Sequence, residues 1–177
     1  MKYAKRGQKL LFLQLPRVEN DTAAGENLPM ASRYLFHAAE RAGLSSKYEP
    51  RWLTHEEEEL DDRHLLEKII DWQPDLIAAT LYLWNIERTL HLLRRVGQAL
   101  AGMKVIAGGP EVAFQHPFLF RTGLPDAAVV GEGETVFPQI LSAFEKGCQP
   151  DYRHVAWKKV RRYSWGRLPS PNVSLQE

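Results

Sequence analysis

The chain has 177 residues, 44% of them hydrophobic and 25% charged, which suits one globular domain with a sizeable core and a short tail. A formal net charge of +1 supplies no field to gather nucleic acid or an anionic membrane surface, so neither is expected as a partner. Cys148 is the only cysteine, which excludes a disulfide framework, a thiolate metal cluster and a Cys-x-x-Cys redox pair within the chain and fits a reducing, cytoplasmic setting.

The N-terminal stretch has a basic start and an apolar run, but Arg17, Glu19 and Asn20 follow at once and no small-residue cleavage site appears. The run is also far too short to span a membrane. "LLFLQLP" therefore reads as a buried first strand ended by Pro16. "LPMASRYLFHAAERAG" reads as a helix, with Pro29 near its start and Gly43 just past its end. "SSKYEPRWL" is a second strand that Pro50 directs to an edge. "HEEEELDD" reads as a solvated loop and helix N-terminus, since adjacent acids do not converge on a metal without a folded scaffold.

"DDRHLLEKIIDWQP" is a helix with Asp61 or Asp62 as N-cap and Pro74 as its stop. "DLIAATLYL" is apolar on both faces, the mark of a central parallel strand covered on each side. "NIERTLHLLRRVGQALAG" places Ile86, Leu90, Leu93, Val96 and Leu100 on one helical stripe, with Asn85 positioned to cap it. "KVIAGG" gives the fourth strand and "PDAAVVGEGE" contains the fifth. "TVFPQILSAFEKG" forms a last helix that tolerates Pro138 in its first turn. Between the last two strands, "EVAFQHPFLFRTG" reads as a short helix broken at Pro117.

Five β-α repeats in about 140 residues predict an α/β fold: a Rossmann-like or flavodoxin-like, doubly wound, five-stranded parallel sheet with a C-terminal tail or hairpin. The domain is expected over residues 1–148, with residues 149–177 as hairpin and linker: "YRHVAWKKVRRYSW" suits a hairpin and "LPSPNVSLQE" an interdomain linker. The mixture of cations and aromatics in "WKKVRRYSW" also occurs in single-strand nucleic-acid binders, but on a hairpin it favours docking of aromatics against a neighbouring domain.

Right-handed crossovers bring every strand-to-helix loop to one edge of such a sheet, where its ligands bind. These loops carry no Gly-x-Gly-x-x-Gly, no Gly-Lys-Ser/Thr and no Gly-x-Ser-x-Gly, so dinucleotide and P-loop readings lose their main support and acyl transfer has no nucleophile; a flavodoxin-like or nucleotide-binding enzyme with another ligand, or a Rossmann-like domain for substrate recognition or assembly, stays an alternative. A signalling receiver lacks its acidic cluster at the ends of strands one and three. What remains is Thr80 and Tyr82 closing strand three, Trp84 and Asn85 after them, the bare Gly108 and Gly109 leaving strand four, and "GEGE" from Gly131 to Glu134. The glycines alone are compatible with plain turns, and Glu132 or Glu134 with a helix N-terminus; equally, a glycine pair lets a large planar ligand lie against the main chain.

In this order and spacing, "PDLIAATLYLWNIERTLHLLRRV", "KVIAGGPEVAF" and "DAAVVGEGE" resemble the N-terminal cobalamin-binding domain of B12-dependent radical SAM proteins, across roughly residues 8 to 171. The resemblance implies a corrin lying over the carboxyl ends of the strands and a nucleotide tail passing between Thr80 and the Gly108–Gly109 pair. Tyr82, Trp84, Asn85, Pro110 and Glu111 then join the candidate cofactor contacts, and Gly131, Glu132, Gly133 and Glu134 border the pocket. It also implies methyl transfer or other radical chemistry in a radical SAM domain, in cis or in trans, which would bring S-adenosylmethionine and a 4Fe-4S cluster; Cys148 alone cannot hold that cluster, so the chain is not catalytic by itself.

One departure concerns the metal. The Asp-x-His-x-x-Gly motif that supplies a lower cobalt ligand in methionine-synthase-like domains is missing, because the loop "PRVENDTAAGENLP" keeps Asp21 and Gly25 but has no histidine. Of the six histidines, His37 and His91 lie in helices, His55 and His64 flank the acidic run, and His154 is in the tail; only His116 follows the glycine turn, and it reads as a solvated loop residue before Pro117.

Overall fold

A computed structural model of the chain describes residues 7–17, 28–113, 119, 124–148 and 155–157. Its elements in chain order are β1 (Gln8–Leu13), α1 (Met30–Arg41), a 3₁₀ turn (Ser45–Lys47), β2 (Tyr48–Trp52), α2 (His55–Glu58), α3 (Asp62–Trp72), β3 (Leu76–Thr80), α4 (Ile86–Ala99), β4 (Lys104–Gly108), β5 (Ala127–Val129), α5 (Phe137–Lys146) and β6 (Val155–Trp157). The sheet order is β2-β1-β3-β4-β5-β6, parallel through β5, with β6 antiparallel on the outer edge. The five parallel strands in the order 2-1-3-4-5 form a flavodoxin-like sheet whose winding reverses between β1 and β3. As Pro50 foretold, β2 takes an edge. The sheet does not stop at residue 148, because Val155–Trp157 adds a strand beside β5; the rest of the expected hairpin and linker lies outside the described residues.

Alternation along the strands divides the core. Leu11, Leu13, Ile77, Ala79, Val105 and Ala107 face α3 and α4, whereas Leu10, Phe12, Leu76, Ala78 and Ile106 face α1 and α5. The stripe expected on α4 is the one that packs, with Leu93 and Val96 fully buried. On the other face Trp52 stacks on Phe12 at 5.0 Å, donates its indole N–H to Ser32 Oγ at 2.8 Å and carries the Arg33 guanidinium at 3.7 Å, which anchors the edge strand β2 to α1.

Two Pro-Asp dipeptides set the register at the amino edge. Asp75, just before β3, accepts the Lys9 amide at 2.8 Å, and Asp126, just before β5, accepts the Val105 amide at 2.9 Å. Each carboxylate thus ties its strand to the neighbour already in place. Helix starts are set as locally: Asp61 caps α3 by accepting the Arg63 and His64 amides. The acidic run differs from the solvated loop expected of it. Thr54 and Glu57 form a reciprocal capping box that opens the short α2, and Glu57 is buried in an ion pair with Arg51.

Because the α3–α4 face is packed to closure, truncating it leaves a cavity. Leu93→Ala is expected to lower the unfolding free energy by about 2–5 kcal/mol, read from urea titration followed by far-UV circular dichroism.

Candidate functional site

All five parallel strands end at one edge, and the loops there meet around the backbone of Leu81. That residue is fully buried; its amide donates to the Gly108 carbonyl at 2.7 Å and its carbonyl accepts the Glu111 amide at 3.2 Å. The exits of β3 and β4 are thereby held together by main-chain bonds. Gly109 lies against this contact with φ of +108°, and a Cβ there would come within 2.6 Å of the Leu81 oxygen and 2.8 Å of its nitrogen. Backbone atoms cannot retreat as a side chain can, so the absence of a Cβ at Gly109 serves the chain's own packing.

Gly108 is different. It pairs with Thr80 at the end of the ladder, and a Cβ built on it meets nothing within 4 Å among the described residues. The glycine pair therefore splits into a structural member, Gly109, and a member facing free space, Gly108. Sequence reasoning treated the two alike because neither a backbone angle nor a neighbour 28 positions away is written in "GG". Pro110 is exposed and Glu111 half-buried beyond them.

Asn85 occupies the N-cap position of α4, yet its side chain makes no capping bond. Instead Nδ2 donates to the Leu15 carbonyl at 3.0 Å and the Thr80 carbonyl at 3.3 Å, while Oδ1 accepts the Tyr82 amide at 2.9 Å. With 1% of its surface exposed, this amide is consumed by the chain itself, and the cap expected of it is not made. Three backbone groups converging from two loops outcompete a solvent-facing helix end.

The turn that Asn85 closes displays Leu83, 77% exposed, and Trp84, 52% exposed. Trp84 lies flat on Tyr82, with ring centroids 4.5 Å apart and planes 6° from parallel. Leu28 and Met30 at the start of α1 are exposed too, with Tyr34 one turn further on. These five are the exposed large apolar side chains among the described residues, and four of them stand at the carboxyl edge on either side of the β1/β3 reversal. Such a concentration marks a surface that something covers. Sequence reasoning missed the contribution of Met30, because an apolar residue in a helix's first turn looks like core until the sheet edge is located.

The "GEGE" loop completes the rim. Gly131 has φ of +83° and open space around its Cβ position, while Gly133 lies under the Leu35 side chain and its carbonyl accepts the Val136 and Phe137 amides ahead of α5. Glu132 and Glu134 are exposed. The rest of the loop after β1, and His116, fall outside the described residues, among which no group of three or more His, Cys, Asp or Glu could hold a metal ion. His37 and His91 are exposed within α1 and α4, while His55 and His64 are exposed at the starts of α2 and α3, beyond the carboxyl end of the edge strand β2.

At the opposite, amino edge a depression of about 480 Å³ is lined by Gln73, Pro74, Asp75, Met103 and Lys104 among others. Its charged groups are already engaged, Asp75 with the Lys9 amide and Lys104 with Asp126. The uncommitted surface is thus at the carboxyl edge, where doubly wound sheets take their ligands.

Among known proteins the chain is 38% identical over 89 residues to 2-(S-pantetheinyl)-carbapenam-3-carboxylate methyltransferase of Streptantibioticus cattleyicolor, a match covering 50% of this chain and 13% of that one. It is 28% identical over 170 residues to the cobalamin-dependent radical SAM methyltransferase TokK of Streptomyces tokunonensis, covering 90% of this chain and 22% of that protein. The chain therefore spans less than a quarter of the length of these relatives. In fold it superposes with a TM-score of 0.61 and 17% identity on the radical S-adenosylmethionine methyltransferase TsrM of Kitasatospora setae, solved with cobalamin and a 4Fe-4S cluster bound, over 86% of this chain and 29% of that one. The model of the B12 binding domain matches residues 16–141, well over half of the sequence, and with this fold and this edge the chain belongs to the B12-binding domain family.

Proposed function

We propose that the chain is the cobalamin-binding module of a radical SAM enzyme, holding the corrin across the carboxyl ends of β1, β3, β4 and β5. The observation that carries this reading is the free space beside Gly108, at a rim where Leu28, Met30, Leu83 and Trp84 stand exposed. A cofactor that is broad and mostly uncharged, with a long tail, suits a flat rim beside a bare strand end; a small charged substrate does not.

In this reading the tail enters beside Thr80 and Gly108, where main-chain atoms can be approached closely. Tyr82 and Trp84, stacked on each other, offer a flat aromatic surface to the macrocycle. Pro110, Glu111, Gly131, Glu132, Gly133 and Glu134 border the pocket on the β4 and β5 side. Asn85 and Gly109 support the site from within and do not touch the ligand. Bound cobalamin would supply a cobalt centre that carries an alkyl group, and the protein's part is to orient it and keep water from its faces.

The partner is a radical SAM domain, with its S-adenosylmethionine and 4Fe-4S cluster, belonging to a longer protein of which this chain is the module. The lengths of the relatives support this, since the chain matches only a fraction of each. Cys148 is exposed and unpaired, and no helix among the described residues is long and apolar enough to cross a membrane, both in keeping with a cytoplasmic enzyme.

Two measurements test the reading. Purified chain mixed with hydroxocobalamin and freed of excess ligand is expected to keep corrin absorbance, and Gly108→Trp, which fills the free space, is expected to lose it while remaining folded. Folded wild-type chain that keeps no corrin would refute the proposal. In contrast, Gly109→Ala is expected to cost stability, about 1–3 kcal/mol or more from backbone strain alone, whereas Gly108→Ala leaves the urea midpoint near that of wild type. Equal midpoints for the two alanine variants would show that Gly109 is not the structural member of the pair.

A further inference from the structure

We infer that Asn85 is a positioning residue that sets the width of the cofactor crevice without contacting the cofactor. The inference rests on the cobalamin reading above and goes beyond it by naming the group that shapes the site. The crevice of a doubly wound sheet opens where the strand order reverses, here between β1 and β3. The Asn85 amide lies across that reversal: one bond reaches the Leu15 carbonyl past the end of β1, and another the Thr80 carbonyl at the end of β3.

The same side chain also fixes what the crevice displays. Its Oδ1 accepts the Tyr82 amide, while its own main-chain N–H donates to the Tyr82 carbonyl at 3.0 Å, so the turn is closed by a reciprocal pair. Leu83 and Trp84 sit at the tip of that turn. Two carbonyls and one N–H converge on the amide, which fixes its orientation with Nδ2 towards the carbonyls.

No other side chain of this size satisfies the same three groups. An aspartate would set an anionic oxygen against two carbonyl oxygens, a leucine would take away the side-chain partner of all three backbone groups, of which the Leu15 carbonyl is in a buried bond, and a serine is too short to bridge both loops. Asparagine is required because it carries donors and an acceptor on one planar head. Removing it would leave the β1 and β3 exits joined by the ladder up to Leu13 and Ala79 but without the side-chain bridge beyond it.

The test uses the full 177-residue chain titrated with hydroxocobalamin and read by visible absorbance. Asn85→Ala and Asn85→Asp are expected to stay folded by far-UV circular dichroism and to bind the corrin roughly ten- to a hundredfold more weakly, the range seen when groups that orient a ligand shell are removed. Asn85→Ser, which retains one short hydroxyl, is expected to fall between wild type and alanine and serves if the alanine chain does not fold. Leu93→Ala, destabilised from the far side of α4, is the control: measured where each variant is fully folded, it should keep wild-type affinity.

Unchanged affinity in the Asn85 variants would overturn the positioning role and leave the cobalamin reading standing. An equal loss in Leu93→Ala would overturn it as well, since general stability would then account for the effect. Wild-type chain that binds no corrin would overturn the cobalamin reading and this inference with it.

Discussion

The contact between the Leu81 backbone and Gly109 is the constraint on which the carboxyl edge depends. A buried main-chain segment has a donor and an acceptor to satisfy, and here both are satisfied from the β4 exit, by the Gly108 carbonyl and the Glu111 amide. That arrangement brings two loops close enough to exclude a Cβ, so the sequence has a glycine at position 109 for a reason internal to the fold. Asn85 extends the same logic one loop further, binding the β1 exit to β3. Three loops from three strands become one rigid rim. A rim of this kind is what a cofactor site needs, because positions held by packed backbone are ordered before the ligand arrives.

Among the described residues, the other surfaces of the sheet are covered and this rim is not. Both faces of the sheet are covered, by α3 and α4 on one side and α1 and α5 on the other, and each strand sends alternate side chains into the two halves of the core. The amino edge is occupied by register-setting contacts from Asp75 and Asp126 to neighbouring strands. Exposed large apolar residues among the described positions then collect at the starts of α1 and α4, beside the reversal in strand order. An uncovered apolar surface costs solubility, and a fold that concentrates it at its ligand edge has kept it for a partner or a cofactor.

The fold was largely legible in the sequence because its signals are local. Pro29 and Gly43 bracket α1, Asp61 caps α3, Gly147 in the left-handed region ends α5, and doubly apolar "LIAAT" could only be a central strand. Even the missed α2 carried a readable signal, since Thr54 and Glu57 stand at the spacing of a capping box. The candidate edge was legible in the sequence, and the division of its residues between rim and chain packing was not. Thr80, Gly108 and Gly131 sit where the strand-end rule puts them, but whether a residue faces the ligand or the chain depends on partners far away in sequence. The cap expected of Asn85 is not made, because the amide's partners include Leu15, 70 positions earlier, which no local pattern reveals.

The sixth strand constrains how the module can be used. Val155 pairs with Val129 and Trp157 with Ala127, so β6 runs from the carboxyl edge back to the amino edge. The chain that follows therefore sets out from the end of the sheet remote from the proposed corrin. On the reading proposed above, a following domain that meets the cofactor would be reached by a connection that returns along the sheet. Strands of five residues are about 17 Å long, and residues 158–171, if extended, span about 45 Å. The distance is well within reach of the proline-containing segment "WGRLPSP" and its basic, aromatic approach. The antiparallel pairing also covers the outer side of β5, so the last strand of the parallel set is not left as an open edge.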